Sequence, residues 1–171
     1  MPQTGQKTQL AWDTNILFDL AGEDQFTQDF RRFFQAHGFE VFLPPTVSAE
    51  LAFSVDRSDE RKRSLARKAL SGIVKWGLIA CPMKPVWEDI AVRFSERLRE
   101  RGLLPPDEKH DGEILAETSL MGVPVLVTRD GHLLDIDETS LVVAFQEADL
   151  VPVQTVHPRR FMQAAQRFLN L

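Results

Sequence analysis

The chain lacks the features that mark secreted, membrane-spanning or disulfide-stabilised proteins. Its 171 residues include one cysteine, Cys81, which excludes an intramolecular disulfide and a cysteine-rich zinc site. No apolar run approaches the ~18 residues that a membrane span needs. The first residues have no charged stretch followed by a long apolar core, so we expect no secretory signal. Together these absences favour a cytoplasmic location and no membrane partner.

Sequence motifs of several common enzyme classes are also missing. The chain has no Gly-x-x-x-x-Gly-Lys phosphate loop and no Gly-x-Ser-x-Gly nucleophile elbow. What is present is ordinary for a globular protein, with 43% hydrophobic and 26% charged residues. The length predicts a single domain over residues 1–171.

The charges are unevenly divided along the chain. The net charge of −5 argues against a surface built simply to wrap nucleic acid. Residues 107–149 carry 11 acidic side chains against two basic ones, whereas residues 57–75 carry seven basic against two acidic. Acidic groups can hold a cation and basic groups can contact a phosphate backbone. The distribution therefore favours a cation site beside an anion-binding surface.

Short apolar segments that predict strands alternate with segments of helical periodicity. The predicted strands are 9–12, 41–43, 78–81, 123–127 and 151–156. The predicted helices are 16–20, 26–36, one capped by Ser48, a basic helix over 57–75, 86–101, 111–121, 140–148 and 159–169. This alternation predicts an α/β fold with a mostly parallel central sheet of about four to five strands, flanked by helices. Sites in such sheets form beyond the carboxyl ends of the strands.

Four acidic residues lie where such a site would form. Asp13 and Asp130 follow predicted strands, and Glu50 and Asp111 lie near the starts of predicted helices. Carboxylates a few Å apart repel one another unless they are protonated or bridged by a cation. Mg²⁺ and Mn²⁺ prefer oxygen ligands, and such ions promote hydrolysis of phosphodiesters. Helix capping and turn formation are the competing interpretations of the three aspartates.

The segments around these acids resemble the PIN domain, the metal-dependent ribonuclease fold of many toxin–antitoxin toxins of the VapC kind. The resemblance covers about 10–137 and rests on Trp12-Asp13-Thr14-Asn15, Ser48-Ala49-Glu50-Leu51, His110-Asp111-Gly112-Glu113-Ile114-Leu115-Ala116 and Leu126-Val127-Thr128-Arg129-Asp130. It implies an endoribonuclease that uses Mg²⁺ or Mn²⁺, with Asp13, Glu50, Asp111 and Asp130 as catalytic residues and metal ligands. It also implies an RNA substrate, a homodimer and a small antitoxin partner.

Other residues have weaker assignments. Asp135 is a candidate fifth acid of the site. Two roles are open to Thr14, Asn15 and Thr128, which either donate hydrogen bonds to the carboxylates or bond to the nearby backbone. Two roles are also open to the basic side chains of the predicted helix 57–75, which either contact RNA or form a solvated helix face; these are Arg61, Lys62, Arg63, Arg67 and Lys68. We predict that Glu113 and Glu117 face solvent and that Cys81 is buried. We expect His110 to be next to Asp111 by chance, without a role in the site.

Two other functions compete with the ribonuclease. One is a catalytically weak PIN-type module that binds nucleic acid or regulates, although such a module is expected to lose one of the four acids. The other is a phosphatase or DNA nuclease of similar α/β build. The Asp-x-Asp signature of aspartyl-phosphate phosphatases is absent, because Thr14 and Asn15 follow Asp13.

Overall fold

The fold is built around one five-stranded sheet, which a computed structural model describes together with its helices over residues 8–169. The strands are β1 (Gln9–Trp12), β2 (Glu40–Leu43), β3 (Leu78–Ala80), β4 (Val125–Val127) and β5 (Gln154–Val156). Their order is β3-β2-β1-β4-β5, and every neighbouring pair is parallel. The predicted fold class is confirmed. The last two strands begin later than predicted, after Pro124 and Pro152, because proline has no N–H to donate to a sheet.

Helices occupy most of the connections between strands. In chain order they are α1 (Thr14–Ala21), α2 (Gln25–Ala36), α3 (Pro45–Arg57), α4 (Glu60–Gly72), α5 (Pro85–Glu100), α6 (Lys109–Leu120), α7 (Gly131–Leu134), α8 (Glu138–Glu147) and α9 (Pro158–Phe168). No helix within residues 8–169 is long and apolar enough to cross a membrane.

Two predicted helix boundaries are wrong. The basic segment 57–75 is interrupted, because α3 ends at Arg57 and α4 starts after Asp59, whose carboxylate accepts a hydrogen bond from the Lys62 amide at 2.9 Å. Ser48 does not cap α3, which begins three residues earlier at Pro45. Proline suits a first helical turn because its missing N–H would have no partner there. The short helix α7 was not predicted.

The hydrophobic core forms between the sheet and the helices. Trp12, Phe30 and Phe34 are among its largest fully buried side chains. Helix α6 lies deep in this core, with every residue from Asp111 to Ser119 buried. A side chain at Gly112 would come within 2.6 Å of Ser95 on α5, so the missing Cβ allows the two helices to approach closely. Cys81, predicted to be buried, is half-exposed beyond the end of β3.

Candidate active site

The strand order changes direction at β1, which places a crevice at one edge of the sheet. The chain runs outward through β2 and β3 and then returns to the other side of β1 as β4. Ligand sites of open parallel sheets form at such a point, beyond the carboxyl ends of the strands. Asp13 directly follows β1, and Thr128, Arg129 and Asp130 directly follow β4.

Asp13 is held at this crevice by three neighbouring residues. Its Oδ1 accepts a hydrogen bond from the Thr14 amide at 2.6 Å, as expected of an N-cap. Its Oδ2 accepts from the Thr128 hydroxyl at 2.6 Å and from the Asn15 side-chain amide at 2.8 Å. Burial raises the pKa of Asp13 to about 6, despite the lowering effect of the Thr128 and Thr14 hydrogen bonds. Helix capping and a place in the site therefore coincide at this residue.

Glu50 reaches the same crevice from α3. One of its carboxylate oxygens accepts a hydrogen bond from the Thr14 hydroxyl. The other lies 3.0 Å from Nδ1 of His110, which therefore contacts a predicted site residue and lines the same cavity. Thr14 thus links the residue after β1 to the acid on α3, and its neighbour Asp13 lies alongside.

Asp111 is the most unusual acid of the group. It lies in the first turn of α6 rather than at its cap, because the helix begins at Lys109. Only 7% of the residue is exposed, and its Oδ2 is buried without a hydrogen-bond partner. Burial raises its pKa to about 8, with further contributions from the nearby carboxylates of Asp130 and Asp13. A buried carboxylate oxygen with no donor is costly unless a proton or a cation reaches it.

Asp130 is accompanied by two residues that the sequence did not single out. Its Oδ1 accepts from the His132 amide at 2.8 Å and so caps α7. The His132 imidazole Nδ1 lies 3.2 Å from a Glu108 oxygen and 3.7 Å from Asp130. Glu108, Asp111 and His132 each offer a ligand atom within 4.8 Å of the others. The one sequence signal for Glu108 and His132 was that both lie in the acidic region 107–149.

The prediction that Glu113 and Glu117 face solvent is wrong. Both are buried, because α6 is enclosed on several sides and has no solvated face at these positions. Glu117 is fully buried and accepts hydrogen bonds from the Thr46 amide at 2.9 Å and the Thr46 hydroxyl at 2.6 Å. Burial raises the pKa of Glu117 to about 7. Glu117 therefore satisfies an amide in the first turn of α3, the helix that carries Glu50.

A cavity of about 720 Å³ joins these residues. All four predicted acids line it, together with four more: Glu88, Glu108, Glu113 and Glu117. Lys62 and Lys109 are the two lysines among the lining residues. Eight carboxyl groups against two ammonium groups make a strongly negative pocket, which attracts cations. Phe18, Phe53 and Met83 also line it, and Phe53 is 64% exposed.

Some predicted site residues lie elsewhere. Asp135 is exposed at the end of α7 and does not line this cavity. Of the five basic candidates on α4, the cavity includes Lys62 alone. Arg63 pairs with Glu60, and Lys68 pairs with Glu23 at 2.9 Å. The remaining two, Arg61 and Arg67, are exposed to solvent.

Comparison with known families agrees with this geometry. The sequence model of the PIN domain matches residues 11–139. The chain belongs to the PIN domain family. PIN domains are generally nucleases, so membership places the chain in a nuclease family. The match includes every acid that lines the cavity.

Solved structures are similar to this PIN domain at low sequence identity. A chain of the VapBC2 complex from Rickettsia felis, solved with a DNA fragment of its promoter, aligns with a TM-score of 0.57 and 15% identity, covering 86% of this chain and 98% of that one. A chain of FitAcB from Neisseria gonorrhoeae aligns with a TM-score of 0.45 and 17% identity, covering 87% and 97% respectively. At such identities the likeness concerns the fold. No curated protein sequence matches the chain significantly.

Proposed function

We propose that this PIN domain is a metal-dependent endoribonuclease whose centre is Asp13, Glu50, Asp111 and Asp130. The observation that carries the proposal is the buried, unpartnered Oδ2 of Asp111 in a cavity lined by eight carboxyl groups. A structural ion pair would give this oxygen a cationic or N–H partner. A divalent cation satisfies it and also relieves the repulsion among its neighbours.

The donor set fits Mg²⁺ or Mn²⁺. Carboxylate oxygens are the ligands that these hard cations prefer, and all four acids offer them. The residues that would hold the cation are Asp13, Asp111 and Asp130, with Glu50 either direct or through water. When bound, the cation supplies positive charge against the phosphodiester and lowers the pKa of water, so that water is the nucleophile. Cleavage of this type leaves a 5′-phosphate.

The chain's own residues prepare the site for this chemistry. Thr128 and Asn15 donate to one oxygen of Asp13, and the Thr14 amide donates to the other. These bonds hold the carboxylate in one orientation and favour its ionised form. The hydroxyl of Thr14 does the same for Glu50. The half-exposed acids at the rim leave the cavity open to a strand of RNA.

Removal of divalent ions should abolish RNA cleavage. The Thr46 hydroxyl donates to Glu117, but both residues are buried, and the Thr14 hydroxyl donates to Glu50, a proposed metal ligand. We therefore infer that water is the nucleophile. Purified protein incubated with structured and unstructured RNA should cleave with Mn²⁺ present and stop in EDTA. Cleavage should return when Mn²⁺ is added in excess over EDTA. Undiminished cleavage in EDTA would disprove the metal mechanism.

Lys62 should contact an RNA phosphate near the centre. It lines the cavity, and its Nζ lies 5.6 Å from the Phe18 ring centroid. Lys62→Ala should weaken RNA binding and reduce the slope of log affinity against log salt by about 0.7–0.9. Arg67→Ala is the matched control, since Arg67 lies exposed on the same helix outside the cavity. Equal slopes for wild type and Lys62→Ala would assign Lys62 to a solvated helix face.

We also propose a small antitoxin partner and a homodimer. Resemblance to PIN-domain toxins of the VapC kind implies both, and the alignment with a chain of the VapBC2 structure covers 98% of that chain. Apolar side chains exposed beside an acidic cavity, such as Phe53, offer an inhibitor a place to bind. Co-expression with the product of an adjacent small reading frame tests the partner, and light scattering measures the oligomeric state.

A further inference from the structure

A second cluster of potential metal ligands borders the four proposed acids. It consists of Glu108 at the start of α6, Asp111 one turn further on and His132 on α7, and their ligand atoms lie within 4.8 Å of one another. None of the four proposed acids except Asp111 belongs to it. The cluster therefore shares one carboxylate with the proposed ribonuclease centre and adds a nitrogen donor.

We infer that Glu108, Asp111 and His132 form a second divalent-cation position that prefers a transition-metal ion such as Zn²⁺ over Mg²⁺. This inference deepens the proposed function, because Asp111 serves both positions. An imidazole nitrogen is a good ligand for Zn²⁺ and a poor one for Mg²⁺, which takes oxygen ligands and keeps much of its water. Two carboxylates, one imidazole and an open side resemble a three-ligand zinc site with a vacant fourth position.

An ion pair between His132 and Glu108 is the simpler explanation of their contact, at 3.2 Å. It leaves one observation unexplained. Oδ2 of Asp111 is buried without a partner in a residue that is only 7% exposed, and this residue lines the same cavity as Glu108. An ion pair between the other two residues gives that oxygen no hydrogen-bond donor and no positive charge. A cation held between the three residues would place positive charge beside the Asp111 carboxylate as well as beside the other two side chains.

The separations are short enough for a cation with little rearrangement. Tetrahedral ligands about 2.1 Å from a zinc ion lie roughly 3.4 Å from one another. The observed spread of up to 4.8 Å therefore needs a closure of about an ångström. The side chains of His132 and Glu108 are 50% and 33% exposed, so they are free to move, whereas buried Asp111 is fixed.

The test is calorimetric titration of the full chain at pH 8 with Zn²⁺ and, separately, with Mg²⁺. His132→Gln should weaken Zn²⁺ binding by about tenfold or more and change Mg²⁺ binding by less than about threefold. His37→Gln is the matched control, because it removes an exposed imidazole that does not belong to the cluster of Glu108, Asp111 and His132. Unchanged Zn²⁺ affinity in His132→Gln, or the same loss in His37→Gln, would overturn the inference. An equal loss of Zn²⁺ and Mg²⁺ affinity would overturn its selectivity.

A second variant guards against a folding defect. His132→Asp replaces the nitrogen donor with oxygen and should lower the ratio of Zn²⁺ to Mg²⁺ affinity, while thermal melts establish that each variant is folded. Failure of the ribonuclease proposal has a different signature. If Zn²⁺ binding depends on His132 but the protein does not cleave RNA, the second cation position stands and the ribonuclease proposal fails. If the protein cleaves RNA but Zn²⁺ binding does not depend on His132, the ribonuclease proposal stands and the second position fails.

Discussion

Asp13→Asn should lose RNA cleavage by about 100-fold or more while the protein remains folded. The asparagine keeps the volume of the side chain and an oxygen that can accept from the Thr14 amide, so the cap of α1 survives. The negative charge is lost at a position where Thr128 and Asn15 hold it toward the cavity. A ligand charge contributes several kcal/mol to a cation-assisted step, and each 1.4 kcal/mol is about tenfold in rate.

Single-turnover cleavage of a labelled RNA with saturating Mn²⁺ measures this loss. Asp29→Asn is the matched control, since Asp29 is an exposed acid on α2 that bonds with Gln25 and lies outside the cavity. It should cleave at the wild-type rate. Near-wild-type cleavage by Asp13→Asn would move the centre away from β1, and a collapse of its thermal melt would leave Asp13 with a structural role alone.

Residues placed by the ends of strands could be predicted from the sequence. Asp13 and Asp130 each follow a short apolar segment, and the parallel sheet brings the ends of β1 and β4 side by side. Local chemistry supports these positions, because both aspartates cap the helix that follows them. The local preference of aspartate for helix caps and the tertiary structure place these residues at the same positions. The sequence pattern alone was therefore enough to predict where they lie.

The burial of Glu113 and Glu117 on α6 could not be predicted in the same way. A helical wheel assigns Glu113 and Glu117 to a solvated face only if the helix has one, and α6 is buried on several sides. Its enclosure depends on Gly112, which allows α5 to come close, and on the contact between Glu117 and Thr46 of α3. These contacts join segments far apart in sequence. His132 and Glu108 were missed for the same reason, since 24 positions separate them.

Asp111→Asn should make the metal-free protein more stable at neutral pH and reduce its stabilisation by Mn²⁺. Burial and the neighbouring carboxylates raise the pKa of Asp111 to about 8, so its ionised form is disfavoured in the folded state. Asparagine has nearly the same shape and carries no charge. In wild type, Mn²⁺ at a hundredfold excess over Kd should add about 2.7 kcal/mol. That corresponds to a rise in Tm of roughly 5–10 °C for a chain of this size.

The pH dependence gives the sign of the effect. Below about pH 4, the carboxyl group of Asp111 is protonated in both the folded and the unfolded chain, so it does not lower the free energy of unfolding. Between pH 4 and 8 the unfolded chain ionises while folded Asp111 keeps its proton, so the stability of the wild type falls as the pH rises. The loss levels off above pH 8, where Asp111 is ionised in both the folded and the unfolded chain. The variant lacks this loss, so its advantage in Tm should grow from pH 5 to pH 8.

Thermal melts of wild type and Asp111→Asn at pH 5 and pH 8, each with and without Mn²⁺, separate a metal ligand from a structural ion pair. A ligand predicts that the metal-free variant melts at or above wild type at pH 8, with a smaller shift on adding Mn²⁺. An ion pair predicts the reverse without metal, because removal of one partner strands the other charge. A metal-free variant that melts clearly lower at pH 8 but retains the full Mn²⁺ shift would show that Asp111 supports the fold and that the cation binds elsewhere in the cavity.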